Sequence, residues 1–393
     1  MSRRRVLGVV ALVLLAANLR TGVASIGPLL PQIRSELGLS TTLAALLVTA
    51  PVVCFAVFGA MGPLPARWFG LDRTLCGVLI VAGLGMIVRI GPGTSTLFLG
   101  TILVGSAIGM ANVLIPGLVK RDYPGRVGLM TGVYTTSMGL GATLAAATSV
   151  PIANAIGRGW RGGLAVWLAP VLVALVFWIP RAWRAEHSDA GVRRSPFGPL
   201  LRDRVAWQVS GFTAFQSAGF YAMISWLPTI FVEHGFSATR AGLVFAVSSL
   251  AGTAAGLVAP ALAARRRDQR FALAGATAVT AIGIAGVLVA PTAAPWVWAV
   301  LIGLGQGSAF PLALTVMGLR TRNPEQTQQL SAMAQTIAYS FAIIGPLAVG
   351  ALRDTTGGWT AGLCFLLVLC AAQFCFGLAA GRPKLVLEAA PVG

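Results

Sequence analysis

Residues 30–44 read LPQIRSELGLSTTLA, and residues 227–241 read LPTIFVEHGFSATRA. Eight of the fifteen positions are identical, and every match is separated by 197 residues. The dipeptide Gly-Trp also occurs twice, at 159–160 and 358–359. A shared proline, glutamate, glycine and serine in a polar connection is too specific for chance similarity between apolar helices. The chain is therefore predicted to contain two copies of one structural unit.

The composition shows what kind of unit this is. Of the 393 residues, 56% are hydrophobic and 10% are charged, with a mean hydropathy of +0.81. A soluble domain is about a quarter charged, so the composition excludes a soluble enzyme, a secreted domain and a disordered chain. A membrane-crossing helix needs about 20 apolar residues. Twelve such helices use most of the chain and leave no room for a separate soluble domain.

We therefore predict an all-α polytopic membrane protein, with twelve transmembrane helices arranged as two six-helix pseudo-repeats. The first bundle covers residues 1–181, a cytoplasmic linker covers 182–204, and the second bundle covers 205–393. The predicted spans are 6–32, 42–66, 74–91, 95–119, 127–153, 162–181, 205–232, 239–263, 271–291, 295–319, 328–351 and 360–380. The basic start of the chain, 3–5, followed by apolar residues, is interpreted as the first helix and not as a cleaved signal peptide.

The basic residues indicate the topology. With the N-terminus in the cytoplasm, 22 of the 29 Lys and Arg residues fall on the cytoplasmic side and six on the outer side. This asymmetry follows the positive-inside rule and predicts a multi-pass protein of the cell (inner or cytoplasmic) membrane with both termini cytoplasmic. It also explains the net charge of +18 without a nucleic-acid partner. The basic loop 265–270 is interpreted as a topology anchor that can touch anionic lipid.

The remaining basic residue, Arg20, is predicted to lie near the middle of the first helix. A charge at that depth is costly unless it faces water, a partner or a ligand. No Asp or Glu falls in the middle of any predicted span. Arg20 is therefore a candidate ligand for an anion, with bonding to helix carbonyls as the structural alternative. The same absence of carboxylates favours anion exchange, facilitated diffusion, or symport in which the substrate carries the proton.

Other polar and aromatic residues inside predicted spans are candidates for the wall of a solute cavity. Each has a structural alternative, because hydrogen bonds between helices are common in membranes. The predicted substrate-binding set is Arg20, Asn18, Asn112, Tyr134, Thr135, Gln216, Tyr221, Gln306, Phe310, Gln335 and Tyr339. Gln335 and Tyr339 are four residues apart and share a helix face.

Small residues and cysteines are interpreted structurally. The pairs Gly105/Gly109, Gly128/Gly132 and Gly252/Gly256 allow helices to pack closely. The five cysteines lie in apolar segments without a CxxC pair, which indicates neither a disulfide framework nor a metal site. No catalytic constellation is recognisable, so we predict no enzymatic activity, no cofactor and no bound metal.

Several segments resemble the cyanate/nitroimidazole transporter family of the major facilitator superfamily. Asn18-Leu19-Arg20 with 27–33 is similar to that family's first helix, and 112–116 with 119–124 is similar to its fourth. Also similar are 132–136 and 331–335 and, in the seventh helix, 207–208, 216–217, 220–221 and 226–228. A parallel six-helix repeat is typical of this superfamily. The resemblance implies twelve helices, alternating access and a small solute.

The predicted function is a secondary active or facilitative transporter of a small anion or polar organic solute, with the lipid bilayer as its surroundings and a monomeric state. Two alternatives stay open, namely broad-specificity drug efflux and a non-transporting membrane sensor. The general 2–3 loop motif of the superfamily is degenerate here, since 62–65 reads Gly-Pro-Leu-Pro. The residues predicted to act in gating at the cytoplasmic loops are Arg67, Arg73, Lys120, Arg121 and Asp122.

Overall fold

The computed structural model describes residues 3–185 and 198–388, and this part of the chain is helical without a β-strand. Most of the predicted linker, 186–197, lies outside the described residues. The helices are α1 (Arg3–Ala24), α2 (Ile26–Leu37), α3 (Thr41–Met61), α4 (Pro63–Phe69), α5 (Leu71–Val88), α6 (Gly93–Asp122), α7 (Val127–Ile156), α8 (Gly159–Ala165), α9 (Leu168–Trp183), α10 (Arg204–Glu233), α11 (Ala238–Ala263), α12 (Arg270–Val289), α13 (Pro295–Leu319), α14 (Pro324–Thr356) and α15 (Thr360–Ala380).

Length and apolar content identify the helices that can cross a membrane. Within the described residues, eleven segments are long and apolar enough to do so. The seventh predicted span, 205–232, is formed by α10, which has 30 residues and is more polar because it carries Gln208, Ser210, Thr213, Gln216 and Ser217. The all-α polytopic fold is confirmed.

Three of the predicted spans are interrupted helices. The first breaks at Ser25, between α1 and α2, and the second ends at Met61 instead of residue 66. The chain restarts there with Pro63 at the beginning of α4, where a missing N–H costs nothing. The sixth span breaks between Ala165 and Leu168.

The backbone forms two compact units. Unit 1 comprises Met1–Ile115 and Val133–Pro196, and unit 2 comprises Pro116–Gly132 and Phe197–Gly393. The short segment Pro116–Gly132, which contains the end of α6 and the start of α7, is thus part of unit 2.

The repeated sequence has the same structural role in each unit, beginning with its first copy. The carboxylate of Glu36 accepts a hydrogen bond from Trp160 Nε1 (2.8 Å) and forms an ion pair with Arg161. Gly38 ends α2 with φ +62°, a conformation that glycine adopts without strain. Ser40 accepts a bond from the backbone N–H of Leu43 at the start of α3, which is an N-cap.

The second copy repeats these contacts in unit 2. Glu233 accepts from Trp359 Nε1 and from an Arg353 guanidinium nitrogen, both at 2.9 Å. Gly235 has φ +88°, and Ser237 caps α11 through the N–H of Arg240. The repeated Glu therefore binds the Trp of the repeated Gly-Trp pair, which explains why both elements recur together.

Small residues bring helices into backbone contact, as predicted. In unit 1, a Cβ placed on Gly105 would lie 2.9 Å from the Cβ of Cys54, so α6 packs directly on α3. In unit 2, a Cβ on Gly252 or Gly256 would lie 2.9 Å from a carbonyl oxygen of α13. Gly128 and Gly132 face carbonyl oxygens of α11 at still closer range. All three predicted glycine pairs are helix contacts.

Candidate functional site

Arg20 lies on α1 within two residues of the midpoint of the apolar span Val6–Leu37. Its side chain is half-buried, and its guanidinium carbon lies 5.8 Å from the centroid of the Phe55 ring. This distance is within the range of a cation–π interaction. A partly accessible cation is thus held on an aromatic face at mid-depth of the span.

Glycine contacts fix the surroundings of this cation. A Cβ on Gly109 of α6 would lie 2.9 Å from the Cα of Phe55, so α6 and α3 touch at the level of the ring. Gly141 of α7 packs against the carbonyl of Ala17, one turn before Arg20. Since neither glycine has room for a side chain, α3 and α7 are positioned by backbone contact. The arginine and its ring therefore belong to a closely packed group of helices.

The other candidates of unit 1 are placed differently from Arg20. Asn18 is buried, and its amide nitrogen donates to the carbonyls of Leu14 (2.7 Å) and Pro170 (3.0 Å). The bond to Pro170 joins α1 to α9. Since residues two apart point in different directions on a helix, the Asn18 amide lies away from the Arg20 face. Asn112 on α6 and Tyr134 on α7 are buried; Thr135 is half-buried.

In unit 2, the structure brings two predicted glutamines together. The Nε2 atom of Gln216 on α10 is 3.4 Å from Oε1 of Gln306 on α13, and both side chains are buried. Ser217 donates to Gln216 Oε1 at 3.4 Å. A Cβ on Gly219 would lie 3.0 Å from Gln306 Nε2, so a glycine there leaves space for the amide. Within the described residues, the buried Nε2 atom of Gln306 has no hydrogen-bond partner.

A second polar group runs along α14. Gln335 donates to Ser331 Oγ at 2.7 Å, and Tyr339 donates to Gln335 Oε1 at 3.5 Å. The predicted shared face of Gln335 and Tyr339 is therefore confirmed. The aromatic candidates Tyr221 and Phe310 are both half-buried.

Two of the predicted gating residues, Arg73 and Lys120, bind the ends of helices. Arg73 donates to the carbonyls of Ala182 (3.3 Å) and Ala185 (2.9 Å) at the end of α9. Lys120 donates to the carbonyls of Gly318 (2.8 Å) and Thr321 (3.1 Å) at the end of α13, within unit 2. The neighbours Arg121 and Asp122 form an ion pair of 2.8 Å, and Arg67 lies in the last turn of α4.

Two fully buried arginines were missed by the sequence reasoning. Arg89 donates to the carbonyl of Gly22 at 2.5 Å. Arg320 donates to the carbonyls of Ala380 (3.2 Å) and Gly381 (2.8 Å), and burial lowers its pKa to about 10. Arg89 lies at the end of the predicted span 74–91, and Arg320 directly follows the predicted span 295–319. At the edge of a span, no periodicity signal reveals the burial of either residue.

The fold and the polar side chains inside its spans define a polytopic membrane transporter. The Major Facilitator Superfamily model matches residues 11–346, and the chain belongs to that superfamily. It is 36% identical to the 2-nitroimidazole transporter of Escherichia coli over 97% of each chain. It is 31% identical to the cyanate transport protein CynX of E. coli, over 88% of this chain and 90% of that protein.

Solved structures give the same fold. The E. coli fucose:proton symporter FucP superimposes with a TM-score of 0.75 at 15% sequence identity, over 97% of this chain and 100% of that chain. The two six-helix halves of the superfamily fold are thereby confirmed. The protein is a multi-pass membrane transporter related to carriers of small solutes.

Proposed function

We propose that the protein moves a small anion or small polar organic solute, similar to cyanate or a nitroimidazole, across the cell membrane by alternating access, with both termini in the cytoplasm. Arg20 is the anion ligand in this proposal. The observation that carries it is a partly accessible guanidinium, 5.8 Å from the Phe55 ring, near the midpoint of an apolar span.

The chemistry of Arg20 favours an anion over a lipophilic cation. A guanidinium offers parallel N–H donors that match a planar anion, and in a low-dielectric site it repels cations. Two relatives are named for cyanate and 2-nitroimidazole. A third, 29% identical over 72% of this chain, is named as a probable nitrate/nitrite transporter of Mycobacterium tuberculosis. These names favour a small solute over broad drug efflux.

The remaining polar residues complete the proposal. We assign as polar solute contacts Asn112, Tyr134 and Thr135 of unit 1 and Gln216, Gln306 and Gln335 of unit 2. We assign as aromatic solute contacts Tyr221, Phe310 and Tyr339. Gln306 supports this role best, because its buried Nε2 donor is not used by the described residues. Asn18 supports this role least, because its amide nitrogen binds the backbone carbonyls of Leu14 and Pro170, away from the Arg20 face.

The carboxylates support coupling through the solute itself. In the described part of the chain, the acidic residues lie in loops or within a turn of a helix end, as Asp72 in the first turn of α5 and Glu325 in the first turn of α14 illustrate. Proton-coupled carriers commonly use a carboxylate within the membrane. We therefore favour anion exchange, facilitated diffusion, or symport in which the solute carries the proton.

The test is uptake of radiolabelled cyanate, nitrate and 2-nitroimidazole into proteoliposomes. We expect Arg20→Gln to lower uptake of the transported solute at least 100-fold. Arg20→Lys should raise KM at least tenfold, because lysine keeps the charge but loses the parallel donors. The matched control is Arg240→Gln, since Arg240 also lies over an aromatic ring, 4.1 Å from that of Phe236, but at a helix start.

A binding measurement separates solute recognition from transport. Solute that binds the folded protein raises its unfolding temperature, and this increase should disappear in Arg20→Gln and persist in Arg240→Gln. Wild-type uptake and wild-type stabilisation by solute in both Arg20 variants would refute the assignment of Arg20.

A further inference from the structure

A cavity of about 430 Å³ opens in unit 2 beside the basic loop 265–270. We call it the α11–α13 groove. Its lining is apolar or small along most of its length, and includes Leu262, Phe271, Gly275, Val279, Leu304 and Leu312. Arg266 and Asp268 lie at one end. The groove also contains Ser308, whose hydroxyl donates to the carbonyls of Leu304 (2.7 Å) and Gly305 (3.0 Å) in its own helix.

The depth of the groove matches part of one lipid leaflet. From Phe271 to Val279, α12 advances by eight residues, or about 12 Å at 1.5 Å per residue. The hydrocarbon region of a leaflet is about 15 Å thick, half of the usual 30 Å. The groove therefore starts at the basic loop and runs along most of the path of an acyl chain.

Small residues create this space. Gly305 of α13 touches the backbone of α12 at Ala276, which brings the two helices together at the base of the groove. By contrast, a Cβ on Gly275 would have no atom within 4 Å. The absence of a side chain at Gly275 therefore leaves the groove open and is not needed for helix contact.

The mouth of the groove carries net positive charge. Arg265, Arg266 and Arg267 are exposed. The one acidic residue of the loop, Asp268, is ion-paired with Arg270 at 2.6 Å, and hydrogen bonds from Arg270 hold the pKa of that carboxyl below its usual value. Asp268 is thus charged and already matched by Arg270, so it does not neutralise the other three arginines.

We propose that the α11–α13 groove binds an anionic phospholipid, with one acyl chain along Gly275 and the headgroup phosphate at Arg265–Arg267. Lipid tails are as apolar as the groove, so the apolar lining can hold an acyl chain but does not select one lipid over another. The arginines provide the preference. Each basic residue near the membrane surface contributes about a fivefold gain in affinity for anionic lipid.

The experiment is native mass spectrometry of the full chain released from detergent with either phosphatidylglycerol or phosphatidylcholine. We expect the wild type to retain phosphatidylglycerol at least tenfold more strongly. Gly275→Leu should abolish this bound lipid by filling the groove, with the basic loop intact. Gly242→Leu is the matched control, because Gly242 is an exposed α11 glycine whose Cβ would also meet no atom within 4 Å.

The headgroup is tested with the triple variant Arg265→Gln/Arg266→Gln/Arg267→Gln, which should lose at least tenfold of the preference. Because this variant can also alter insertion, Gly275→Leu decides independently. Equal retention of the two lipids, or unchanged phosphatidylglycerol binding in Gly275→Leu, would overturn the proposal. Stabilisation by inorganic phosphate equal to that by phosphatidylglycerol would also overturn it, since the site would then be a free-anion site.

Discussion

Lys120 holds the segment Pro116–Gly132 within unit 2. Its ammonium donates to the carbonyls of Gly318, in the last turn of α13, and Thr321, two residues after that helix ends. A helix C-terminus leaves carbonyls without partners inside the helix and carries partial negative charge. We predict that Lys120→Met loosens the segment, because methionine has a similar length but supplies neither donor nor charge.

The size of the effect follows from these two bonds. A hydrogen bond to a charged group contributes about 1.5–3 kcal/mol, but Lys120 is half-buried, and water can replace part of each bond. We take a net loss of about 2 kcal/mol for the pair after that discount. At 1.4 kcal/mol for each factor of ten, the opening equilibrium of the segment shifts about 30-fold.

Hydrogen–deuterium exchange of the purified full chain measures this opening directly, because amide exchange reports local opening equilibria. Peptides over 116–132 should exchange about 30-fold faster in Lys120→Met than in the wild type. Arg126→Met is the control: Arg126 is exposed and lies in the same segment, so exchange should not change. Equal exchange in wild type and Lys120→Met would refute the role of this lysine.

Two further predictions concern stability in detergent. Arg320→Met leaves three buried neutral acceptors, namely Gln269 Oε1 and the carbonyls of Ala380 and Gly381. Since each unsatisfied buried acceptor costs about 1–3 kcal/mol, the variant should lose about 3–5 kcal/mol, against less than about 0.5 kcal/mol for the exposed Arg322→Met; similar melting temperatures would contradict this. Gly307→Ala should prevent stable folding, because its Cβ would overlap the backbone of Gly252, whereas Gly275→Ala should be tolerated; equal yields of monodisperse protein would refute this packing argument.

Apolar length and turn residues made much of the fold predictable. The bounds of α13 and α15 agree with the predicted spans 295–319 and 360–380. The predicted span 328–351 was too short, because α14 extends from Pro324 to Thr356. Its start is an Asn-Pro cap, and its end is Gly357 at φ +73°. These are local signals that a search for apolar residues passes over.

The helix interruptions were harder to predict. Hydrophobic residues continue through Ser25 and through Ala165–Leu168, so apolar content gives no sign of a break. What stabilises the first break is tertiary: the carbonyl of Gly22, three residues before Ser25, accepts from Arg89, 67 positions away. The amino-acid sequence does not show which distant arginine donates to which carbonyl.

The same limit applied to the candidate site. Spacing correctly placed Gln335 and Tyr339 on one face, because both belong to one helix. The Gln216–Gln306 contact joins helices 90 positions apart, and the sequence predicted its members without predicting their pairing. Asn18 illustrates the opposite error. It is only two residues from Arg20 along the chain, but its side chain points in another direction.

The buried cations also sharpen the case for Arg20. Arg89 and Arg320 follow directly after α5 and α13, and their donors bind carbonyls beside helix breaks or ends, where helix geometry leaves acceptors. Arg20 lies inside α1, and its guanidinium faces the Phe55 ring. An arginine that joins helix ends needs no access to solute, and a fully buried one has none. Arg20 is half-buried at mid-depth, so it has the access to solute that Arg89 and Arg320 lack, and for that reason we propose it as the solute ligand.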